Sequence, residues 1–382
     1  METNHEQKEA IEPLQMEQLK TLVEKEFEVE EALIEFGTIT FYIKLHPNSK
    51  QAFLKLVKAL EPTGYLPVLR KKDGRPFIKL IVKPKTKPSN PKINLALFLI
   101  TILTTFVTGY MLSLPLAKQG LMENPLVGAA AFSAAIMAIL GSHEMGHKLA
   151  ANKHGIEATL PYFIPGPPPV FGVLGIGTFG AVIMQKSLPP NKDALFDVGA
   201  SGPIIGFLVS VAMTIIGFSL SSYTLIPENS PTLPVPLLFL LMINLFPPPG
   251  SVPTPNPGEV VAISLHPIAF AGWVGMFVTM LNLLPAAMLD GGHIVRCFTS
   301  ERTRIILSAL SIVFLIATGL LPMALFVLFM SMYRHPGPLD DVSKLSWGRK
   351  LLVVFLVFVF FSCLLLYGPV LDLVRLLMRL FG

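Results

Sequence analysis

Charged residues are scarce in this chain of 382 residues. Only 14% are Asp, Glu, Lys or Arg, whereas 52% are apolar and the mean hydropathy is +0.61. A soluble globular domain usually carries about 25% charged residues. The shortage of charge therefore excludes an ordinary soluble protein and predicts a chain that crosses a lipid bilayer several times.

Cysteine is also rare, since the chain has only Cys297 and Cys363, so no disulfide framework is expected. The net charge is +5, but the basic residues flank apolar runs instead of mixing with aromatic residues, which argues against nucleic acid as a partner. The start, METNHEQKEAIEPLQ, resembles neither a secretory signal nor a transit peptide. This favours a prokaryotic cell membrane over an organelle, while the oligomeric state is not indicated.

Long apolar runs dominate the rest of the chain, and about 20 apolar residues suffice for a helix to span the hydrocarbon core. They predict an all-α polytopic membrane protein with about six transmembrane helices. The predicted spans are 94–114, 125–151, 194–222, 264–285, 304–333 and 350–371. Pro322 offers an alternative in which the fifth span is a hairpin. Prolines and glycines in 161–184 instead predict a re-entrant or hairpin segment inside the fold.

The pattern of apolar residues in 1–85 predicts a soluble α+β domain. Residues 14–36 have helical spacing, GTITFYIKL alternates as a strand does, and two further short strands flank Asp73-Gly74. Its role is regulatory or partner-binding, or it is a stabilising cap. A basic linker of Pro and Lys, 86–92, leads to the membrane domain, 93–382. The cluster of lysines before the first span predicts a cytoplasmic N-terminus; it consists of Lys79, Lys83, Lys85, Lys87 and Lys92.

The chemistry concentrates in His143-Glu144-Met-Gly-His147, at the end of an apolar helix. Positions i and i+4 share a helix face, so both imidazoles can reach one zinc ion. Glu144 is the candidate general base that activates a zinc-bound water. Ionisable groups inside a membrane helix are costly unless they are paired or bind a metal, which strengthens this interpretation.

A catalytic zinc site usually has three protein ligands, so a third donor is needed from elsewhere. Asp290 is the preferred candidate, because it is a lone carboxylate that follows a helix break and is flanked by two glycines on one side. His293, one helical turn further on, is the alternative.

HEMGH in a membrane helix, followed by NLLPAAMLDGG, resembles the site-2 protease family of intramembrane metalloproteases, in particular the branch with plastid members. The likeness covers about 125–300, the expected catalytic core. It implies zinc on His143, His147 and Asp290, with Glu144 activating water. It also implies that Asn282 contacts substrate or the developing oxyanion. Finally, it implies that GTFGAVI, which contains Gly177, Phe179 and Gly180, pairs with an extended substrate.

The sequence thus predicts an intramembrane zinc endopeptidase that cuts transmembrane protein substrates within or near the bilayer. The alternative is a membrane metal-ion transporter or sensor that uses the same His and Asp cluster. Transporters usually contain inverted repeats, which are not evident in this sequence, and a transporter has no clear use for Glu144. Hydrolysis is therefore preferred.

Overall fold

The computed structural model describes residues 13–35, 38–84, 88–169, 175–333 and 336–366. At residues 13–15 and 35 it describes the backbone only. The described chain is mostly helical. Its helices are α1 (Pro13–Glu24), α2 (Ser49–Leu60), α3 (Pro91–Lys118), α4 (Pro125–Lys153), α5 (Lys192–Phe218), α6 (Leu237–Leu245), α7 (Pro267–Leu283), α8 (Asp290–Arg296), α9 (Glu301–Ala317), α10 (Leu321–Ser331) and α11 (Trp347–Ser362).

Ten strands accompany these helices, and four of them form the N-terminal sheet. The strands are β1 (Glu28–Glu35), β2 (Thr38–Lys44), β3 (Tyr65–Lys72), β4 (Arg75–Val82), β5 (Tyr162–Pro165), β6 (Thr178–Val182), β7 (Ser222–Pro227), β8 (Val235–Pro236), β9 (Glu259–Ser264) and β10 (Leu365–Leu366).

The N-terminal sheet is antiparallel with the order β1-β2-β4-β3, and apolar residues from α1 and α2 pack with the sheet residues in one core. The predicted turn at Asp73-Gly74 is present, with φ of 50° and 85° at these residues. The helix expected over 14–36 is wrong beyond Glu24, because 28–35 form β1. The four glutamates of EVEEALIE disfavour a strand in a prediction from local sequence, but backbone hydrogen bonds to β2 stabilise this segment as a strand.

Three helices, α3, α4 and α5, are long and apolar enough to cross a membrane, with 28, 29 and 27 residues. They match the first three predicted spans. α7 lies in the fourth predicted span but has only 17 residues, and α11 occupies part of the sixth. Residues 367–371 of the sixth span lie outside the described part. The described helices thus support a polytopic membrane protein with three long crossings, whereas the number six stays a prediction.

The fifth predicted span, 304–333, is not one helix. It divides into α9 and α10, which pack against each other around Leu315, Ala324 and Val327. Gly319 between them has φ of 78°, and Pro322 stands in the first turn of α10, where a proline needs no amide partner. The hairpin alternative is therefore the one found. Most other large side chains of the pair are exposed apolar residues, namely Ile305, Ile306, Leu310, Val313, Ile316, Leu321, Leu325, Phe326, Leu328 and Phe329.

The predicted hairpin at 161–184 is present as β5 and β6, an antiparallel pair that starts with Tyr162 opposite Val182. Residues 170–174, which lie between the two strands in the sequence, are outside the described part. Its base is held by α3, where the Asn94 amide donates to the carbonyls of Leu160 and Pro161, each at 3.0 Å. Two further strand pairs, β7–β9 and β8–β10, were not predicted in an all-α membrane part.

Candidate active site

The two histidines of HEMGH lie one turn apart on the buried side of α4. Pro125 and the Asn124 side chain, which accepts from the Leu126 amide, start this helix. His143, Glu144 and His147 are all buried, and each offers a ligand atom within 4.8 Å of the others. The Nε2 atoms of His143 and His147 are 3.1 Å apart. The helical spacing thus aims both imidazoles at one point, as predicted.

The Asp290 carboxylate, from a part of the chain far from α4 in sequence, lies beside the same two imidazoles. α7 ends at Leu283, the chain turns with Ala287 at φ of 47°, and Asp290 opens the short helix α8. One carboxylate oxygen lies 3.2 Å from His143 Nε2 and the other lies 3.3 Å from His147 Nε2. Burial raises the pKa of the Asp290 carboxyl, but the two imidazoles outweigh it and hold the pKa below its ordinary value.

His293, the alternative third ligand, lies one turn further along α8. Its Cβ packs beside Gly199 of α5, and a Cβ added at that glycine would lie 3.1 Å from it. Asp290, in contrast, faces both Nε2 atoms directly. The geometry therefore brings together the preferred set of His143, His147 and Asp290.

These three donors fit a tetrahedral zinc ion. Bonds of about 2.0–2.2 Å from zinc to nitrogen or oxygen place neighbouring ligand atoms about 3.3 Å apart. The separations here are 3.1, 3.2 and 3.3 Å. Three protein donors also leave a fourth position for water or substrate, as in catalytic rather than structural zinc sites.

The orientation of His147 is fixed by α5. Its Nδ1 lies 2.6 Å from the carbonyl oxygen of Val198, so Nδ1 carries the proton and donates while Nε2 keeps its lone pair for a metal. Gly202 allows this close approach, because a Cβ there would lie 2.1 Å from His147 Nε2. Sequence reasoning missed these residues. The available signal was VGASGPIIGF, whose small residues recur at helical spacing in an apolar run.

Glu144 projects beside the two imidazoles without joining the donor triad. Its Oε1 lies 3.9 Å from His143 Nε2. The backbone of Ile183, directly after β6, also interacts with the Glu144 carboxylate. The carboxylate therefore stands between the histidines and the end of an extended strand, where it can accept and return a proton.

The residues predicted to contact substrate fall into two groups. The Asn282 amide lies 3.4 Å from His143 Nε2, at the edge of the triad. Gly177 is used inside the fold, since its carbonyl accepts from Thr104 Oγ1 at 2.6 Å. Phe179 is 74% exposed and Gly180 has open space beside it. β6 has β5 as a partner on one edge, and no strand of the described chain pairs with the other edge.

The chain is also similar to known proteins over the region that carries this site. The model of peptidase family M50 matches residues 131–326, just over half of the chain. The probable zinc metalloprotease EGY1, chloroplastic, of Arabidopsis thaliana is 30% identical over 227 residues, which are 57% of this chain and 39% of that protein. The probable zinc metalloprotease EGY3, chloroplastic, of Oryza sativa subsp. japonica is 27% identical over 296 residues, 72% of this chain and 49% of that protein. The chain thus spans about half or less of these curated relatives, and no solved structure matches it.

Proposed function

Because this chain belongs to peptidase family M50, the site-2 protease family, we propose that it is an intramembrane zinc endopeptidase. It hydrolyses peptide bonds within or near transmembrane segments of membrane proteins. The relatives named as probable zinc metalloproteases support the metal and the reaction class. The lipid bilayer and single transmembrane helices are its expected surroundings and substrates.

One observation carries the proposal: three donors at tetrahedral spacing stand beside the carboxylate of Glu144, and two of the donors lie with Glu144 on a helix long enough to cross the bilayer. His143, His147 and Asp290 hold the metal, and Glu144 remains outside the donor set. Among the described residues, His143, Glu144 and His147 also form a group that could hold a metal ion, with ligand atoms within 4.8 Å of one another. A transporter needs further ligands along a path, and a free carboxylate at the site favours hydrolysis.

The roles of the chain's own residues follow from this geometry. A zinc ion held by His143, His147 and Asp290 would supply Lewis acidity, which would polarise the scissile carbonyl and lower the pKa of water. Glu144 takes the proton from the attacking water and returns it to the leaving amine. Asn282, 3.4 Å from His143 Nε2, donates its amide hydrogens to the developing oxyanion. Val198 holds His147 in the tautomer that binds metal.

Substrate binding is proposed at the unpaired edge of β6. A transmembrane helix hides its scissile amide in internal hydrogen bonds and must become extended before it can be attacked. Strand pairing replaces those hydrogen bonds, and Gly180 leaves room for a chain to approach. The contact between Glu144 and Ile183 brings the end of this strand to the general base.

The organisation in the membrane is proposed as follows. Residues 1–85 form a cytoplasmic domain, 86–92 a linker and 93–382 the protease domain. Crossings beyond α3, α4 and α5 come from α7 and α11, and the α9–α10 hairpin enters the bilayer between them and returns to the same side. The hairpin thus replaces the fifth of the six predicted spans. The lysines before α3 place the N-terminus in the cytoplasm. The relatives are named chloroplastic, so the prediction of a prokaryotic membrane gains no support from them.

Cleavage by the purified full chain in detergent tests the proposal. Single-span membrane peptides are incubated with the wild type, with Glu144→Gln and with Glu228→Gln, an exposed acid after β7 that serves as the matched control. We expect the wild type and Glu228→Gln to cut, and Glu144→Gln to bind zinc without cutting. A protein that binds zinc at the triad, cuts none of the peptides and moves zinc across liposomes would instead be a transporter.

A further inference from the structure

A segment between α10 and α11 connects the N-terminal sheet to the helix that carries Asp290. We call residues 338–342 the bridging segment. Leu339 is buried in the N-terminal core, and its carbonyl accepts from the Leu69 amide of β3 at 2.9 Å. The Asp341 amide donates back to the Leu69 carbonyl at 3.3 Å. The bridging segment therefore lies along the β3 edge of the sheet.

The same segment is also fixed to the membrane part. The amides of Leu339 and Asp340 donate to the carbonyls of Pro189 and Pro190, at 2.8 and 3.0 Å, directly before α5. The Asp340 carboxylate accepts from the amides of Val342 and Ser343, which closes a tight turn. The bridging segment is thus held on both sides by backbone hydrogen bonds, and its side chains project from a fixed frame.

Asp341 uses this frame to hold the far end of α8. Its two carboxylate oxygens accept from both terminal nitrogens of Arg296, with Nη1 to Oδ1 at 2.9 Å. Both side chains are largely buried, with 15% and 19% of their surface exposed. A bidentate pair fixes direction as well as distance. Arg296 is the last residue of α8, and Asp290 is the first.

A helix of seven residues has no stability of its own, so its anchors decide its orientation. Near its start, Gly291 lies so close to the carbonyls of Leu283 and Leu284 that an added Cβ would be 2.3 Å from the nearer one. At its end stands the pair of Arg296 with Asp341. With about 10 Å between the two ends, a tilt at Arg296 swings the carboxylate of Asp290 relative to the imidazoles.

We propose that Arg296, held by Asp341, is a positioning residue for the zinc ligand Asp290. This rests on the proposed function, because it takes Asp290 as a ligand. The N-terminal domain supports the metal site through the bridging segment, although no residue of that domain touches the donor triad within the described chain. Loss of groups that orient metal ligands typically weakens metal binding about 10- to 100-fold.

The test measures zinc release from the full chain in detergent by competition with a chromophoric chelator, together with the visible spectrum of the cobalt(II)-loaded protein. The variants are Arg296→Gln, Arg296→Lys and Asp341→Asn, with Asp290→Ala as the reference for a lost ligand. Lys50→Gln is the matched control, since the Lys50 ammonium joins the N-terminal domain to Asp193 of α5 without touching α8. Melting temperatures of the zinc-free proteins separate general destabilisation from weaker metal binding.

We expect Arg296→Gln and Asp341→Asn to release zinc about 10- to 100-fold faster than the wild type and to alter the cobalt spectrum. Arg296→Lys keeps the charge but loses the bidentate geometry, so it should recover part of the affinity. Lys50→Gln should stay within about twofold. Wild-type zinc release from all three Arg296 and Asp341 variants, while Asp290→Ala loses zinc, would refute the positioning role and leave the protease proposal intact. Unchanged zinc binding in Asp290→Ala would refute Asp290 as a zinc ligand and, with it, the positioning role; the cleavage assay with Glu144→Gln tests the protease proposal separately.

Discussion

The close contact of Gly202 with His147 yields the sharpest prediction. In Gly202→Ala the new Cβ would lie 2.1 Å from His147 Nε2 and 2.5 Å from its Cε1. Ordinary contact needs about 3.5 Å, so the imidazole and the methyl group must separate by roughly 1.4 Å. Metal sites tolerate deviations of only about 0.2 Å in ligand distances. The substitution should therefore remove His147 from the donor triad.

We expect Gly202→Ala to lower kcat/KM for peptide cleavage by at least about 100-fold and to weaken zinc binding in parallel. Overpacking should also destabilise the protein by about 1–3 kcal/mol. Gly217→Ala is the matched control. It lies on the same helix, and its Cβ would be 2.1 Å from the Ala269 amide nitrogen, which is equally tight but distant from the histidines.

Zinc binding, cleavage rate and melting temperature are measured for both variants. Both variants should have a lower melting temperature than the wild type, and only Gly202→Ala should lose zinc. If Gly202→Ala keeps wild-type zinc affinity and cleavage, or if Gly217→Ala loses as much of both, α5 does not position His147 in the way the distances indicate.

Three further predictions follow from other contacts. Removal of zinc by a chelator should lower the melting temperature, and added zinc, but not magnesium, should restore it; saturation at about 100 times Kd is equivalent to about 2.7 kcal/mol. Thr104→Val should lower cleavage about fivefold without changing zinc binding, because it removes the hydrogen bond of about 1 kcal/mol that holds the Gly177 carbonyl. A cleavage assay showing no loss would count against a role for the hairpin. Burial raises the pKa of the Asp341 carboxyl, but the bonded Arg296 guanidinium lowers it more, so the pKa lies below its ordinary value. The ionised Asp341 therefore contributes stability above about pH 3.9, and this contribution is lost as the pH falls further and the carboxyl is protonated. Melting curves of wild type and Asp341→Asn should therefore differ near neutral pH and converge in acid; a constant difference would contradict this sign.

The residues of local motifs could be placed from the sequence alone. His143 and His147 follow from helical periodicity, and Asp290 follows from a lone carboxylate after a helix break near Pro285. The structure brings these three together although His143 and Asp290 are 147 positions apart in the chain. The three long helices were equally accessible, because length and hydropathy decide them.

Features that depend on distant partners were not accessible in this way. β1 is rich in glutamate, and only its ladder with β2 makes it a strand. The ribbon of β7 with β9 joins two six-residue stretches, SYTLIP and EVVAIS, on either side of a proline-rich loop, and neither stretch alternates regularly between apolar and polar residues. The bridging segment shows neither helical nor strand periodicity in its sequence. Its conformation is set by hydrogen bonds to two separate parts of the chain. A single sequence carries no local mark of such pairings.

The shortness of α9 and α10 has a consequence for the surrounding lipid. With 17 and 11 residues, these helices extend about 25 Å and 16 Å, and neither matches a hydrocarbon thickness of about 30 Å. In the proposed membrane arrangement, the exposed apolar side chains of the pair would face acyl chains, which would have to tilt or compress to meet them at a fraction of a kcal/mol per Å of hydrophobic mismatch. The bilayer would then be thinner on this flank of the protein, and the acyl-chain length of the lipid would be a physical variable that affects the stability of the α9–α10 pair.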